Sequence, residues 1–110
     1  MPDEIGQAPS DLVSVRLHGL SSVAATDVGA LLTNLGTRTV VVVGVSTNVA
    51  VPSGVFDLVN LVYQMVVPRD AIAGVPAEYG DILIRNSLSL CATIVTTDDV
   101  LAVWEKRAAG

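Results

Sequence analysis

The chain has 110 residues, 51% of them hydrophobic and only 4% aromatic, so the sequence predicts one domain with a mainly aliphatic core. The formal net charge is −5, and the six Lys and Arg residues form no basic cluster, which argues against nucleic acid as a partner. No apolar stretch reaches the roughly 18 residues of a membrane helix, and the first residues lack the basic and apolar regions of a signal peptide, so we expect a cytoplasmic protein without membrane contact.

The first third of the chain predicts an arm, a strand and a helix. Residues 1–11 are polar and contain Pro and Gly, so we expect a flexible N-terminal arm before a domain over residues 12–107. Residues 12–16 alternate between apolar and polar, which indicates a short strand. Thr26 is a candidate N-cap for a helix whose apolar residues recur at helical spacing, and Gly36 is a candidate glycine at its C-terminal end.

The middle of the chain predicts a strand, a helix and another strand. Residues 39–43 are apolar from Val40 onward, as expected for a strand buried on both faces. A helix is predicted over residues 51–62, because Pro52 is tolerated in a first helical turn and apolar residues follow at helical spacing. The predicted buried positions of this helix are Val55, Leu58, Val59 and Val62. Residues 63–67 form the next apolar strand.

The last third continues the alternation. A helix is predicted over residues 77–88 and a short strand over residues 92–95. Thr97 is a candidate N-cap for a final helix that reaches Lys106. Strands that alternate with helices of this length predict a mainly parallel sheet with right-handed crossovers.

The corner between the strand at 39–43 and the following helix is the candidate functional site. Ser46, Thr47 and Asn48 lie in this corner, and such corners in open α/β sheets place a ligand or a catalytic group. Their hydroxyl and amide groups can contact a ligand at the helix N-terminus. They can instead only cap the helix, which is the more common role of these residue types.

Four segments resemble the isochorismatase-like cysteine hydrolases. The run G-V-S-T-N-V-A-V at residues 44–51 resembles that family's nucleophile corner, G-V-x-T-N-x-C-V. Residues 26–40 are similar to its T-D-L-x-x-L-L-x-x-L-G-x-x-T-V stretch. Residues 63–71 and 96–101 look like its G-Y-x-V-V-x-x-D-A and T-T-D-x-x-L segments. The resemblance covers residues 8–104, and so most of the chain.

The resemblance implies a fold and a gap in that fold. It predicts a three-layer α/β/α architecture with a mainly parallel, doubly wound (Rossmann-like) sheet of about four strands, a truncated isochorismatase-like fold. The family resembles a sheet of strand order 3-2-1-4-5-6, of which this chain supplies the equivalents of strands 3, 4, 5 and 6. Strands 1 and 2 would lie beside the strand at 39–43, which becomes an unpaired edge. Either the strand at 12–16 moves over to cover this edge or another chain does. We therefore expect a homo-oligomer or a partner chain that associates through the 39–43 edge, or poor solubility of the chain expressed alone.

The resemblance also bears on the chemistry. Members of the family cleave small substrates with an Asp, Lys and Cys triad; the cysteine lies at a helix N-terminus, and amides arranged by a cis peptide bind the oxyanion. The resemblance predicts this cis peptide between Val45 and Ser46 and assigns Ala50 to the cysteine position. Residues 16–18, Arg-Leu-His, fall where the lysine is expected, and the strand that bears the aspartate precedes the matching region. No catalytic residue is therefore predicted in this chain.

The remaining chemistry-bearing residues have two interpretations each. His18 is either a site residue at a strand exit or a surface histidine, and Arg16 either holds a carboxylate or phosphate or is a solvated strand-end residue. Cys91 is expected to pack as a small hydrophobic residue, and by resemblance Asp70 ties down loops. One histidine and one cysteine make no zinc site, so we expect no metal and no cofactor. The candidate ligand-binding residues are Val45, Ser46, Thr47, Asn48, Ala50, Arg16 and His18.

These observations lead to one principal function and two alternatives. The chain is interpreted as a truncated or degenerate family member that lacks the triad, has no hydrolase activity by itself and retains a corner that binds a small carboxylate or amide. In the first alternative it is a subunit or fragment of a small-molecule hydrolase completed by another chain. In the second it is a structural subunit that uses the exposed strand edge for assembly.

Overall fold

The computed structural model describes residues 9–12, 23 and 26–109. Helices and strands alternate along the chain in the order α1 (Val28–Asn34), β1 (Thr39–Val41), β2 (Gly44–Val45), α2 (Ala50–Asn60), β3 (Gln64–Pro68), β4 (Ile72–Ala73), α3 (Ala77–Leu83), α4 (Ser89–Cys91), β5 (Thr93–Val95) and α5 (Thr97–Ala109). A π-helical turn, Ile84–Leu88, joins α3 to α4, so the chain is helical without a break over residues 77–91.

All strand pairs among the described residues are parallel, which confirms the predicted α/β fold class. The main sheet has the order β1-β3-β5, and β1 is one of its two edges among the described residues. The predicted strand over residues 12–16 lies outside the described residues apart from Leu12, so the main sheet here has three strands rather than about four. A separate pair of two-residue strands, β2 and β4, was not predicted, because segments this short carry no periodic signal.

The two faces of the main sheet are packed differently. Val40 pairs with Met65, and successive side chains along a strand alternate, so Val40, Met65 and Val67 point to the same face. On this core face the side chains of β3 pack against α2 and against Leu88 from the π-helical turn. The buried hydrophobic residues are Val23, Val51, Val55, Leu58, Met65, Val67 and Leu88.

The opposite face, which we call the open face, is covered incompletely. It carries Val41, Val66 and Val95, and α5 crosses it without burying its own side chains. The expectation that the strand at 39–43 is buried on both faces is wrong for the described structure, because β1 ends at Val41 and Val43 is 61% exposed. A strand at a sheet edge with one uncovered face cannot bury every side chain.

The helix ends follow local backbone chemistry, and two predictions need correction. Gly36 ends α1 at φ +70°, as predicted. Its N–H donates to Thr33 and the next N–H donates to the carbonyl of Leu32, which is the Schellman pattern. Val62 is exposed rather than buried, because α2 ends at Asn60 and Val62 adopts a left-handed φ of 71°.

The N-cap of the last helix lies one residue before the predicted position. Thr96, not Thr97, caps α5: its hydroxyl accepts a hydrogen bond from the Asp99 N–H at 3.1 Å, and the Asp99 carboxylate accepts one from the Thr96 N–H at 3.0 Å. This reciprocal pair is a capping box, which satisfies two backbone donors at once. The Thr97 hydroxyl donates to Asp70 instead.

Candidate functional site

The strand-to-helix corner consists of β2, a four-residue turn over residues 46–49 and the first residue of α2. The peptide bond between Val45 and Ser46 is cis, as the family resemblance predicted. The Ser46 carbonyl accepts a hydrogen bond from the Val51 N–H at 2.9 Å, which closes the turn onto the helix. Ala50 is the first residue of α2, so its methyl group occupies the helix N-terminus at this corner.

None of the three polar residues in the corner caps α2, so the capping interpretation is wrong. The N-cap is Val49, whose side chain has no acceptor, and no side chain bonds to the first helical amides. The N–H groups of Val49 and Ala50 donate to no acceptor in the described part of the chain. The positive end of the helix dipole is therefore uncapped at this corner.

Thr47 points into the protein rather than toward the corner's outer surface. Its side chain is 1% exposed, and its N–H donates to the Ala73 carbonyl at 2.7 Å, which joins the corner to β4. The Thr47 hydroxyl has no hydrogen-bond partner among the described residues. Its Cβ lies close to Gly74 and Gly80, so this side chain packs against the backbone of the β4–α3 connection.

The Asn48 side chain bridges the corner to the same connection. Its amide nitrogen donates to the Val75 carbonyl at 2.7 Å, and its amide oxygen accepts a hydrogen bond from the Val75 N–H at 2.8 Å. The next peptide bond, between Val75 and Pro76, is also cis. Both polar ends of Asn48 are thus engaged by one backbone unit, so in this conformation Asn48 positions the corner.

A small pocket of about 200 Å³ opens beside Ala50. The described residues that line it are all aliphatic or glycine: Val42, Val43, Val45, Ala50, Val51, Gly54 and Leu58. The corner therefore combines uncapped backbone N–H groups with an adjoining apolar pocket. Sequence reasoning had assigned Val45 and Ala50 to this site, but it missed Gly54 and Leu58, which reach it only because α2 folds back against the strands.

The other candidate residues do not join the corner in the described structure. Arg16 and His18 lie outside the described residues. Cys91 is exposed and precedes β5, at the amino end of the parallel sheet, whereas the corner follows the carboxyl end of β1. The expectation that Cys91 packs as a small hydrophobic residue is therefore wrong. In the described ranges, no three His, Cys, Asp or Glu side chains converge as a metal site would require.

Asp70 ties the carboxyl end of β3 to the start of α5. Its carboxylate accepts hydrogen bonds from the Thr97 N–H at 2.8 Å and from the Thr97 hydroxyl at 2.9 Å, which confirms its predicted structural role. These bonds to Thr97 lower the pKa of the Asp70 carboxyl below its ordinary value of 3.8. The bonds from Thr96 likewise lower the pKa of Asp99.

We predict that Asp70→Asn makes the free energy of unfolding less dependent on pH in the acid range. A lowered pKa means that the native carboxylate contributes stability above its ordinary pKa and loses it as the pH falls through the lowered value. Urea unfolding at neutral pH and at about pH 3 should therefore show a stability difference between wild type and variant that shrinks in acid. Asp81→Asn, at an exposed position of α3, is the matched control. An equal difference at both pH values would contradict the prediction.

Comparison with known proteins decides the family. A family model described as "Isochorismatase domain" matches residues 2–99 of the chain. The chain belongs to the isochorismatase family. No curated protein matches it.

Solved structures agree with this isochorismatase-family assignment. An isochorismatase-like hydrolase from Alkaliphilus metalliredigens is 32% identical to this chain, with a TM-score of 0.73. The match covers 76% of this chain and 46% of the hydrolase chain. An N-carbamoylsarcosine amidase from Thermoplasma acidophilum is 26% identical with a TM-score of 0.74, covering 88% of this chain and 54% of its own. An isochorismatase family protein from Burkholderia thailandensis shares the fold, with a TM-score of 0.87 at 24% identity over 94% of this chain and 54% of its own.

The chain spans about half the length of these isochorismatase-like structures, between 46% and 54% of each. Within the part of the chain that the structure describes, no helix is both long enough and apolar enough to cross a membrane.

Proposed function

We propose that this isochorismatase-family chain has no hydrolase activity by itself and that its corner binds a small carboxylate or amide. The observation that carries the proposal is the chemistry at the first residue of α2. Ala50 offers a methyl group that can neither attack a carbonyl nor be activated, while the backbone N–H groups of Val49 and Ala50 remain available to an anion or a carbonyl oxygen.

The surroundings of Ala50 support the loss of chemistry. Ser53 lies in the first turn of α2, but neither a lysine nor a histidine stands among the described residues that line the adjoining pocket. Cys91 lies at the opposite end of the sheet, so its thiol does not replace the family's nucleophile at the corner. A hydroxyl without a base in contact is a weak nucleophile at neutral pH.

The pocket suggests the shape of the ligand. Its volume of about 200 Å³ and its aliphatic lining suit a small apolar body, while a polar head of the ligand would meet the uncapped amides. We therefore propose a ligand with one carboxylate or carboxamide group attached to a short branched or cyclic apolar group. Asn48 and Thr47 hold the corner in place for this ligand through Val75 and Ala73.

Isobutyrate and isobutyramide test this proposal as probes. In ¹H–¹⁵N correlation spectra of the labelled protein, we expect saturable shifts of the Val49 and Ala50 amide resonances with either probe. Ala50→Asp should abolish the isobutyrate response, because it puts a carboxylate where the probe's carboxylate would lie. The matched control is Ala77→Asp, which makes the same change at the first residue of α3. Unshifted corner amides at millimolar probe would exclude the binding site.

A separate assay tests the absence of hydrolysis. The purified chain should release no ammonia from isobutyramide or nicotinamide above the background of a buffer blank. Ammonia release that Ala50→Asp removes and Ala77→Asp leaves intact would show that the corner is catalytic, and it would overturn the proposal even if binding is observed.

One alternative has a specific observation in its favour. The chain covers only 46–54% of the isochorismatase-like structures it matches, so a second polypeptide could supply the remaining catalytic groups. In that case the amide hydrolysis missing from the isolated chain would appear when the partner is added.

A further inference from the structure

The open face of the main sheet forms an apolar groove. The groove has a volume of about 780 Å³ and lies between β1 and α5. Val41, Val43 and Val66 form its floor, and Val103 and Trp104 of α5 form its wall. Val103 and Trp104 are 57% and 55% exposed, so α5 leaves its apolar side chains at the rim of the groove rather than buried beneath it.

The outer edge of β1 borders this groove and is unpaired among the described residues. The Arg38 carbonyl and the Val42 N–H bond to β3, and successive residues of a strand direct these groups to opposite sides. The backbone groups of Thr39, Val41 and Val43 therefore face outward. They form a template for one further strand, at the position where the side chains of Val41 and Val43 also line the groove.

We propose that a second copy of this chain pairs with this edge, so that two β1 strands join antiparallel about a twofold axis at Val41. Edge and groove are then covered together, because a twofold axis perpendicular to the sheet keeps both open faces on the same side. The two α5 helices lie on this shared face, and each brings Trp104 toward the groove of the other copy. This inference does not depend on the proposed ligand site.

The register supports this self-pairing. An axis at Val41 sets Thr39 opposite Val43 of the second copy and Arg38 opposite Gly44, so no like charges face each other in the strands. In this register, each residue whose backbone N–H and C=O groups point away from β3 lies opposite a residue of the same kind in the second copy. Two antiparallel strands can exchange hydrogen bonds only between such residues. Such a contact is isologous, and it closes after two copies instead of propagating.

Exposed apolar side chains in the groove supply a large part of what a stable contact needs. Val43 is 61% exposed, in addition to Val103 and Trp104. With side-chain areas of about 100 Å² for Val and about 200 Å² for Trp, these three residues offer about 230 Å² of apolar surface per copy. A stable interface buries about 800 Å² per partner, a little over half of it apolar, so they supply about half of the apolar part.

Sedimentation velocity over a concentration series tests the proposal. We expect the wild-type chain to form a dimer and Val43→Lys to weaken its association at least tenfold, because the substitution removes apolar burial and brings two ammonium groups close to the axis. Leu90→Lys is the matched control, since Leu90 is exposed in α4 and is not among the described residues that line the groove. Circular dichroism establishes that each variant is folded.

A cross-link tests the register even if Val43→Lys fails to fold. In a Cys91→Ser background, Val41→Cys should form a disulfide between two copies under mild oxidation, because the paired α-carbons would be about 5.5 Å apart. The same substitution at Leu90 should form none. A wild-type chain that stays monomeric at every concentration overturns the proposal. So does a dimer that is insensitive to Val43→Lys and does not cross-link through position 41.

Discussion

Gly74→Ala is expected to destabilise the protein by about 2–3 kcal/mol. This is a large effect for a substitution that removes no contact and adds only one methyl group. A β-carbon at Gly74 would lie 2.8 Å from the Asn48 side-chain oxygen and 3.1 Å from the α-carbon of Gly80. It would also lie 3.2 Å from the β-carbon of Thr47. Because one of these neighbours is backbone and Thr47 is buried, the corner and α3 must separate to admit the methyl group.

Gly80→Ala is the matched control for Gly74→Ala. A β-carbon at Gly80 would meet Gly74 at 3.4 Å, which is ordinary van der Waals contact, and Gly80 lies within α3, where alanine is the better helix former. Chemical denaturation should therefore leave Gly80→Ala within about 1 kcal/mol of wild type, or slightly more stable. Equal destabilisation by both substitutions would show that the approach of the corner to α3 is looser than its geometry indicates.

Asn48→Ala is expected to lower the free energy of unfolding by about 1–2 kcal/mol, because it removes both hydrogen bonds to Val75. Water can reach the freed groups of Val75, which keeps the effect below that of two buried hydrogen bonds. The substitution should also weaken isobutyrate binding, since the uncapped amides follow directly after Asn48. Urea denaturation and the corner amide resonances measure the two effects.

Two further variants separate the hydrogen bonds from the loss of side-chain volume. Asn48→Asp keeps an acceptor for the Val75 N–H but turns a second oxygen toward the Val75 carbonyl, so we expect it to be at least as destabilising as Asn48→Ala at neutral pH. Asn86→Ala, at an exposed position of the π-helical turn, should change stability by less than about 0.5 kcal/mol. If Asn48→Ala were as stable as wild type, the bridge would contribute nothing to holding the corner.

Features that depend on neighbouring residues could be predicted from the sequence. Gly36 ends α1 because only a residue without a β-carbon adopts its positive φ easily, and Pro52 falls in the first turn of α2, where its missing N–H has no consequence. The parallel sheet followed from the alternation of strands and helices. The cis bond after Val45 was predictable from the family's corner motif.

Features that depend on distant residues could not be predicted from the sequence. Asn48 and Thr47 look like helix caps in the sequence, but Val75, more than twenty residues away, engages the Asn48 side chain, and the Thr47 hydroxyl is buried without a partner among the described residues. Val62 continues the apolar spacing of α2, yet the helix ends before it, since no local signal separates a turn residue from one more buried position. Thr96 rather than Thr97 caps α5, and the Thr97 hydroxyl instead donates to Asp70, 27 residues away.

The bridge from Asn48 has an evolutionary consequence for the two positions it joins. Both of its contacts end on main-chain atoms of residue 75, while the Val75 side chain is exposed and takes no part. Position 75 can therefore accept many side chains without disturbing the bridge, whereas position 48 needs a group that donates and accepts at once. Homologous sequences should consequently vary at position 75 and stay restricted at position 48. Covariation between the two positions would therefore not reveal that they are in contact.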